Sequence, residues 1–373
     1  MKHNGEIPSR IVVKVGTSSL TDDGGALDWS KVENLTDQLG TLKSEGKEII
    51  LVSSGAIRAG MDRLGLATRP RNIPELQASA AIGQGYLMRM YSDLLSRHDV
   101  VPAQVLLTRD DFHNRVRYLN ARNTLYTLIR FGALPIVNEN DTVATEEIRF
   151  GENDTLSALV AACVDADLLL NLSDVEGLYD GDPRTDKGCK LIEEVPEITR
   201  EIESIAGDTH GLCGSGGMRS KIEAAKIAVN SGARMVIALA SRPNVILDAA
   251  AGKNVGTRFL SNATGLSHKK RWIAFGSRVK GSVVINEGAT RMIADRGKSL
   301  LAAGIVGCEG SFDVGDLVAV KDESSVQIAR GLTNYASAEI KLIKGKRSSE
   351  IEKILGHKDF DEVIHRDNLV LGV

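Results

Sequence analysis

The first 260 or so residues contain six short apolar runs, and none of them alternates. The runs are Ile11–Val15, Glu48–Val52, Val101–Leu107, Leu134–Val137, Leu168–Leu172 and Met235–Leu239. A strand with one wet face alternates with period two, whereas a strand covered on both faces reads as an unbroken apolar stretch. Between the runs lie helical patterns near Trp29–Ser44, Glu75–Ser96, Leu119–Arg130, Asn153–Ala162, Met218–Asn230 and Asn244–Ala251. Strand and helix in strict turn predict an α/β fold with a doubly wound, mainly parallel sheet. In such a sheet, ligands bind beyond the carboxyl ends of the strands.

The pattern changes after Gly265. A basic segment, Ser267-His268-Lys269-Lys270-Arg271-Trp272, begins a hinge over 266–279. Beyond it the apolar runs are shorter: Gly281–Ile285, Leu317–Val320, Val326–Gly331 and Ala338–Ile340. Glycines recur at Gly304, Gly307, Gly310 and Gly315, and one helix is expected near Gly288–Ala303. The chain thus divides into an α/β domain over 1–265 and a small β-rich domain over 280–373. A length of 373 residues fits two domains. From 269 onward there are 17 Lys and Arg against 14 Asp and Glu, a net of +3; the remainder has 29 against 35, a net of −6.

These balances exclude several classes. With 42% apolar and 25% charged residues the chain is globular in composition. Aromatics at 4% leave the core to Ile, Val, Leu and Ala. A net charge of −3 gives no bulk affinity for nucleic acid or membrane, and +3 in the tail is a small footprint for RNA. Cys163, Cys189, Cys213 and Cys308 form no C-x-x-C pair, so they read as reduced thiols of a cytoplasmic protein, not a zinc site or disulfide framework. Met1-Lys2-His3-Asn4-Gly5-Glu6 lacks the apolar stretch of a signal peptide, and no 18-residue apolar run predicts a membrane span.

Two lysines beside glycines carry the chemistry. Lys14 stands in Lys14-Val15-Gly16-Thr17-Ser18-Ser19, and Lys221 follows Ser215-Gly216-Gly217-Met218-Arg219-Ser220. Each sets a cation beside small residues whose backbone amides can approach phosphate oxygens. Alone, the first is compatible with a strand-end lysine in solvent and the second with a surface loop. Neither is a Walker A loop, and no G-x-G-x-x-G follows the first strand. Lys221 opens a helical run, where a cation opposes the macrodipole at a cost of roughly 0.3–1 kcal/mol. A nearby anion would offset that cost, and a phosphoryl group is one such anion.

Four polar clusters follow apolar runs: Gly16-Thr17-Ser18-Ser19, Ser53-Ser54-Gly55-Ala56, Asn138-Glu139-Asn140-Asp141 and Ser173-Asp174. Each alone fits an N-cap or a turn. Together, on one edge of a parallel sheet, they predict a shared site. Ser54 adds donors suited to a carboxylate, while Asn138 and Asp141 suit the head of an amino acid. Asn153-Asp154 begins a helical stretch and serves as an N-cap, or else Asp154 holds two lysines by opposite charge. His98, His113 and His210 fall in no motif and read as structural or surface residues.

Taken together, Lys14–Ser19, Val52–Ala56, Asn138–Asp141, Gly151-Glu152-Asn153-Asp154-Thr155-Leu156 and Gly216–Lys221 resemble the motif set of the glutamate 5-kinases, within the amino acid kinase superfamily. Ile285-Asn286-Glu287-Gly288-Ala289 and Asp313-Val314-Gly315-Asp316 resemble the PUA module appended to many of these kinases. The resemblance implies transfer of the ATP γ-phosphoryl group to the γ-carboxylate of L-glutamate, the first step towards L-proline. It implies that Lys14 and Lys221 face the phosphoryl group and that Asp154 orients them. Ser54, Asp141 and Asn153 correspond to glutamate contacts. Ser173, Asp174 and Ser215, Gly216, Gly217, Met218, Arg219, Ser220 and Lys221 correspond to nucleotide contacts. Glu152, Ser215 and Ser220 stand where Asp, Thr and Thr are common. Mg²⁺ is expected to arrive with ATP, without a protein cage, because it is usually held by phosphates and few carboxylates. Feedback inhibition by L-proline and a homo-oligomer are further implications. The rivals are a sister kinase acting on acetylglutamate, aspartate, carbamate or UMP, and an RNA-binding protein working through the tail.

Overall fold

The computed structural model describes residues 7–22, 24–144, 153–183, 188–207, 217–261, 270, 273–274 and 279–372. It forms two compact units. One comprises Met1–Asp111 and Leu119–Gly265, the other Phe112–Tyr118 and Leu266–Val373.

The first unit is built on an eight-stranded sheet. Its strands are β1 (Arg10–Val15), β2 (Glu48–Val52), β3 (Pro102–Leu107), β4 (Leu134–Glu139), β5 (Leu168–Ser173), β6 (Glu194–Val195), β7 (Arg234–Leu239) and β8 (Gly256–Phe259). They lie in the order β3-β4-β2-β1-β5-β7-β8-β6. Every pairing is parallel except β7 with β8. The sheet is therefore mainly parallel, with an antiparallel β8 that no apolar run in the sequence announced. β4 and β5 are buried along their whole length, which is why neither alternates.

The helices are α1 (Trp29–Ser44), α2 (Ala56–Arg63), α3 (Ile73–Leu95), α4 (Arg109–His113), α5 (Arg115–Arg130), α6 (Asn153–Cys163), α7 (Arg200–Gly207), α8 (Met218–Asn230) and α9 (Val245–Ala250). Their starts are written locally. Asp28 caps α1 by accepting from the Ser30 and Lys31 amides, and Asn72 caps α3 by accepting from Glu75 N at 2.9 Å. All eleven residues of α6 are buried, as befits an apolar helix covered on all sides.

Two features of the topology position a site. The strands β4, β2, β1 and β5 are consecutive neighbours, so the four polar clusters that follow them share one stretch of the sheet edge. The chain also reverses direction across the sheet between β1 and β5. From β1 it proceeds outward to β2, while β5 leads the other way to β7. Such a switch point leaves a crevice at the carboxyl ends.

The second unit holds a five-stranded sheet of β9 (Gly281–Ile285), β10 (Ile305–Gly310), β11 (Leu317–Lys321), β12 (Gln327–Leu332) and β13 (Leu369–Leu371), ordered β10-β9-β11-β12-β13. Its helices are α10 (Glu287–Ala294), α11 (Ser337–Ile343) and α12 (Ile351–Leu355). The sequence expectation needs correction here. The helix near Gly288–Ala303 stops at Ala294, because Gly297 takes φ +57 and its amide bonds back to Ile293 O at 3.1 Å. The run Ala338–Ile340 belongs to helix α11, not a strand. β10 and β13 carried no apolar-run signal, since glycines dilute the first and the second is only three residues long. Each unit has a core of its own. One clusters around Ile11, Ile49, Leu170 and Tyr91, the other around Val283, Val318, Tyr335 and Ile340.

Candidate active site

Asp154 occupies the second position of α6, where a carboxylate favours the helix dipole. It is 1% exposed, so its charge must be met by protein groups. Four donors meet it. Lys14 Nζ lies 2.5 Å from Oδ1 and Lys221 Nζ lies 3.2 Å from Oδ2. Asn171 Nδ2 donates to Oδ1 at 3.0 Å, and Ser220 Oγ donates to Oδ2 at 2.8 Å. Each carboxylate oxygen thus takes one ammonium and one neutral donor.

The partners come from separate elements. Lys14 stands near the end of β1, in register with Asn171 of β5, across the switch point. Ser220 and Lys221 stand in the first turn of α8, behind the Gly217 cap. Both lysines are buried, so neither is a strand-end or loop cation in solvent. The anion that offsets Lys221 against the dipole of α8 is, among the described residues, the Asp154 carboxylate. Burial alone would raise the Asp154 pKa, but the charges of Lys14 and Lys221 outweigh it and hold the carboxyl well below its ordinary range. Burial draws the Lys14 ammonium below its usual value, and Asp154 opposes that pull.

A second polar cluster adjoins through Asn153, the residue before Asp154. Asn153 Nδ2 lies 2.5 Å from Ser53 O, 2.9 Å from Asn138 Oδ1 and 3.0 Å from Ser54 Oγ. It has two hydrogens for three acceptors, so one hydrogen is shared between two of them. Asn138 also accepts from Glu139 N at 2.9 Å and donates to Gln84 Oε1 at 2.7 Å. Ser53 Oγ meets Tyr91 OH at 2.9 Å. A left-handed Gly55, at φ +93, turns the chain from Ser54 into α2.

Asp141 follows β4 at the rim of this cluster. Burial pushes its carboxyl up to about 6, against the opposing charge of Arg69. On the other side of β1 a cleft of about 490 Å³ opens at the ends of β1, β5 and β7. Ser18, Ser19, Ser173, Asp174 and Ser241 line it. Ser173 Oγ donates to Asp174 Oδ1 at 3.0 Å.

The fold therefore gathers Lys14, Asp154, Lys221 and Ser220 at one point, and Ser54 with Asn153 at the next. Asp141 stands at the rim, and Ser173 and Asp174 line the cleft. Gly217 caps α8, and Met218 and Arg219 open it. Ser215 and Gly216 lie outside the described residues, as do Glu152, Cys213, His210 and most of the hinge over 266–279. His98 is structural: its Nε2 meets Asp37 Oδ1 at 2.8 Å and its ring covers Gly40. Asn171, Gln84 and Tyr91 were not singled out from the sequence. Asn171 had a signal, being one polar residue within a five-residue apolar run. Gln84 had a fainter one, a polar residue between Gly83 and Gly85.

The chain is similar to known proteins along most of its length. The model of the amino acid kinase family matches residues 9–239, and the model of the PUA domain matches 281–355. A glutamate 5-kinase of Caldanaerobacter subterraneus is 51% identical over 97% of this chain and 97% of its own. One from Carboxydothermus hydrogenoformans is 52% identical with the same coverage. Among solved structures, UMP kinase from Ureaplasma parvum aligns at 16% identity over 68% of this chain and 98% of that chain, with a TM-score of 0.47.

Proposed function

The chain belongs to the amino acid kinase family, among its glutamate 5-kinases, and from that premise we propose how its residues transfer the γ-phosphoryl group of ATP to the γ-carboxylate of L-glutamate. The observation that carries the proposal is the buried carboxylate of Asp154 between two ammonium groups drawn from β1 and α8. Phosphoryl transfer spreads negative charge over the transferring group, so positioned cations in a dry site lower its barrier. Lys14 and Lys221 are those cations. Asp154 pairs with both and holds them close together in spite of burial. Asn171 and Ser220 hold the carboxylate through uncharged bonds, so it stays in place when the lysines turn towards phosphate oxygens.

The acceptor needs no base. A glutamate side chain has a reference pKa of about 4.3 and is ionised at neutral pH. This suits a site whose hydrogen-bonding groups, among the described residues, include no histidine. The amino acid lies on the Asn153 side. Asn153 Oδ1 and the Asp141 carboxylate accept from its ammonium, and the Ser54 hydroxyl donates to a carboxylate. The nucleotide lies on the cleft side, with its phosphates over Ser173, Asp174 and the turn from Gly217 into α8, which continues Ser215 and Gly216.

No cluster of three metal-ligating side chains occurs among the described residues. Asp174, which lines the cleft, is the carboxylate placed to meet a magnesium ion carried by the nucleotide's phosphates. When bound, the ion neutralises phosphate charge. Inhibition by L-proline over the glutamate site, a homo-oligomeric state and a cytoplasmic location are parts of the same proposal. No described helix is long and apolar enough to cross a membrane. RNA binding through the tail is the weaker proposal, given its small net charge.

The test is ADP release from ATP with glutamate, acetylglutamate, aspartate, carbamate or UMP as acceptor. Turnover with glutamate alone is expected. Preference for another acceptor would replace the substrate assignment.

A further inference from the structure

Gln84 lies on α3 and is 9% exposed, yet its side-chain amide is only half used. Its Oε1 accepts from Asn138 Nδ2 at 2.7 Å, while its Nε2 is buried with no hydrogen-bond partner among the described residues. The orientation of both amides follows from chemistry. Glu139 N is a backbone donor and meets one side-chain atom of Asn138 at 2.9 Å, so that atom is the carbonyl oxygen. The other Asn138 atom is then the NH₂ group, and the Gln84 atom it meets is an oxygen. Turning Gln84 around would set donor against donor.

The unpartnered NH₂ group is a cost, and an apolar side chain would avoid it. What Gln84 supplies is its acceptor. That acceptor fixes Asn138, and Asn138 Oδ1 in turn takes a hydrogen from Asn153 Nδ2 at 2.9 Å. A carboxylate would accept equally well, but it would bury a negative charge beside a pocket for a dicarboxylate. The backbone holds Gln84 in place firmly. A Cβ on the neighbouring Gly83 would meet Ala56 O at 1.8 Å, so α3 packs directly on the start of α2.

We infer that Gln84 is a positioning residue of the amino-acid site: an uncharged acceptor that orients Asn138 and, through it, the Asn153 side chain that receives the substrate. This rests on the glutamate kinase reading and extends it to a residue outside the expected motifs.

The experiment measures steady-state kinetics in the full chain with Gln84→Met, Asn138→Leu and the double variant, with thermal midpoints alongside. Gln84→Met is expected to raise the KM for glutamate roughly 3- to 10-fold, the worth of about one hydrogen bond. The KM for ATP, kcat at saturating glutamate and the thermal midpoint are expected to hold, since one unpartnered amide replaces another. The double variant should be no worse than Asn138→Leu alone, because Gln84 acts through Asn138. If Gln84→Met does not fold, Gln84→Asn decides: it keeps the amide but is too short to reach Asn138, and the same KM rise is expected. An unchanged glutamate KM, equal rises in both KM values or additive effects in the double variant would overturn the inference. If the unaltered protein releases no ADP with glutamate, it is the functional reading that fails.

Discussion

Lys221 shows how one residue's surroundings change what its removal does. Seen only at a helix start, it is an unfavourable cation, and its loss would leave stability unchanged or slightly raised. Paired with Asp154 in the interior, it supports the fold as well as the chemistry. Lys221→Ala is expected to lower kcat by roughly 10²–10³, the cost of one preorganised charge donor. KM values should move less, because the contact strengthens during transfer. Stability should fall by about 1–3 kcal/mol, since Asp154 keeps Lys14 but loses one charged partner. Near-normal turnover with saturating substrates would remove Lys221 from the mechanism. Asp141 gives a prediction in pH. Its carboxyl titrates near 6 when folded, against 3.8 unfolded. A raised pKa contributes stability that is complete below about pH 4 and lost as pH rises through 6. Asp141→Asn should therefore stabilise the protein at pH 8 by roughly 1–3 kcal/mol and change little at pH 4. If Asp141 receives the substrate ammonium, glutamate affinity of the unaltered protein falls below pH 6, while the Asn variant binds weakly with a flat profile down to about pH 5, where the substrate's own side-chain carboxylate begins to protonate. Thermal melts and glutamate KM across pH 4–8 check both halves, and a parallel pH dependence in the Asn variant would point to another group.

Among the elements, the α2–α3 pair carries the sharpest constraint. A Cβ on Gly60 would meet Ser79 O at 1.8 Å, and one on Gly83 would meet both Ala56 O and the Gly60 amide. The two helix backbones touch, which brings Gln84 against Asn138 of β4. Neither glycine can be replaced without moving a helix. Gly83→Ala is expected to cost about 3 kcal/mol or more, beyond the usual 1–3 for overpacking because the clash is with backbone. Denaturant melts check it. A loss below 1 kcal/mol would mean that the helices part easily and that the contact does not position the site. α6 is constrained differently. Its buried residues leave it no wet face, and its first two side chains divide the site between them. Asn153 turns towards β2 and β4, and Asp154 towards β1, β5 and α8.

The whole molecule consists of two units with separate sheets and separate cores, and every residue assigned to the kinase chemistry lies before Gly265. Truncation after Gly265 is expected to leave ATP-dependent glutamate phosphorylation in the remaining chain. A folded truncation without activity would show that the tail completes the site. By itself, the sequence determined the parallel α/β class, through apolar runs that do not alternate, and marked the residues suited to phosphate and amino-acid chemistry. Those signals are local: a buried strand needs apolar side chains along its length, and a helix start needs its cap. In the tail the same signals were weaker, because short strands containing glycine bury too little surface to leave a pattern. Only the tertiary structure decided which polar residues meet. Lys14, Asn171 and Lys221 stand far apart in the chain and converge because β1 and β5 are neighbours in the sheet and α8 packs against α6. Gln84 joins Asn138 because two glycines let α3 lie directly on α2. Spacing along the chain carries neither relation, since strand order and helix contact are set by how whole faces pack.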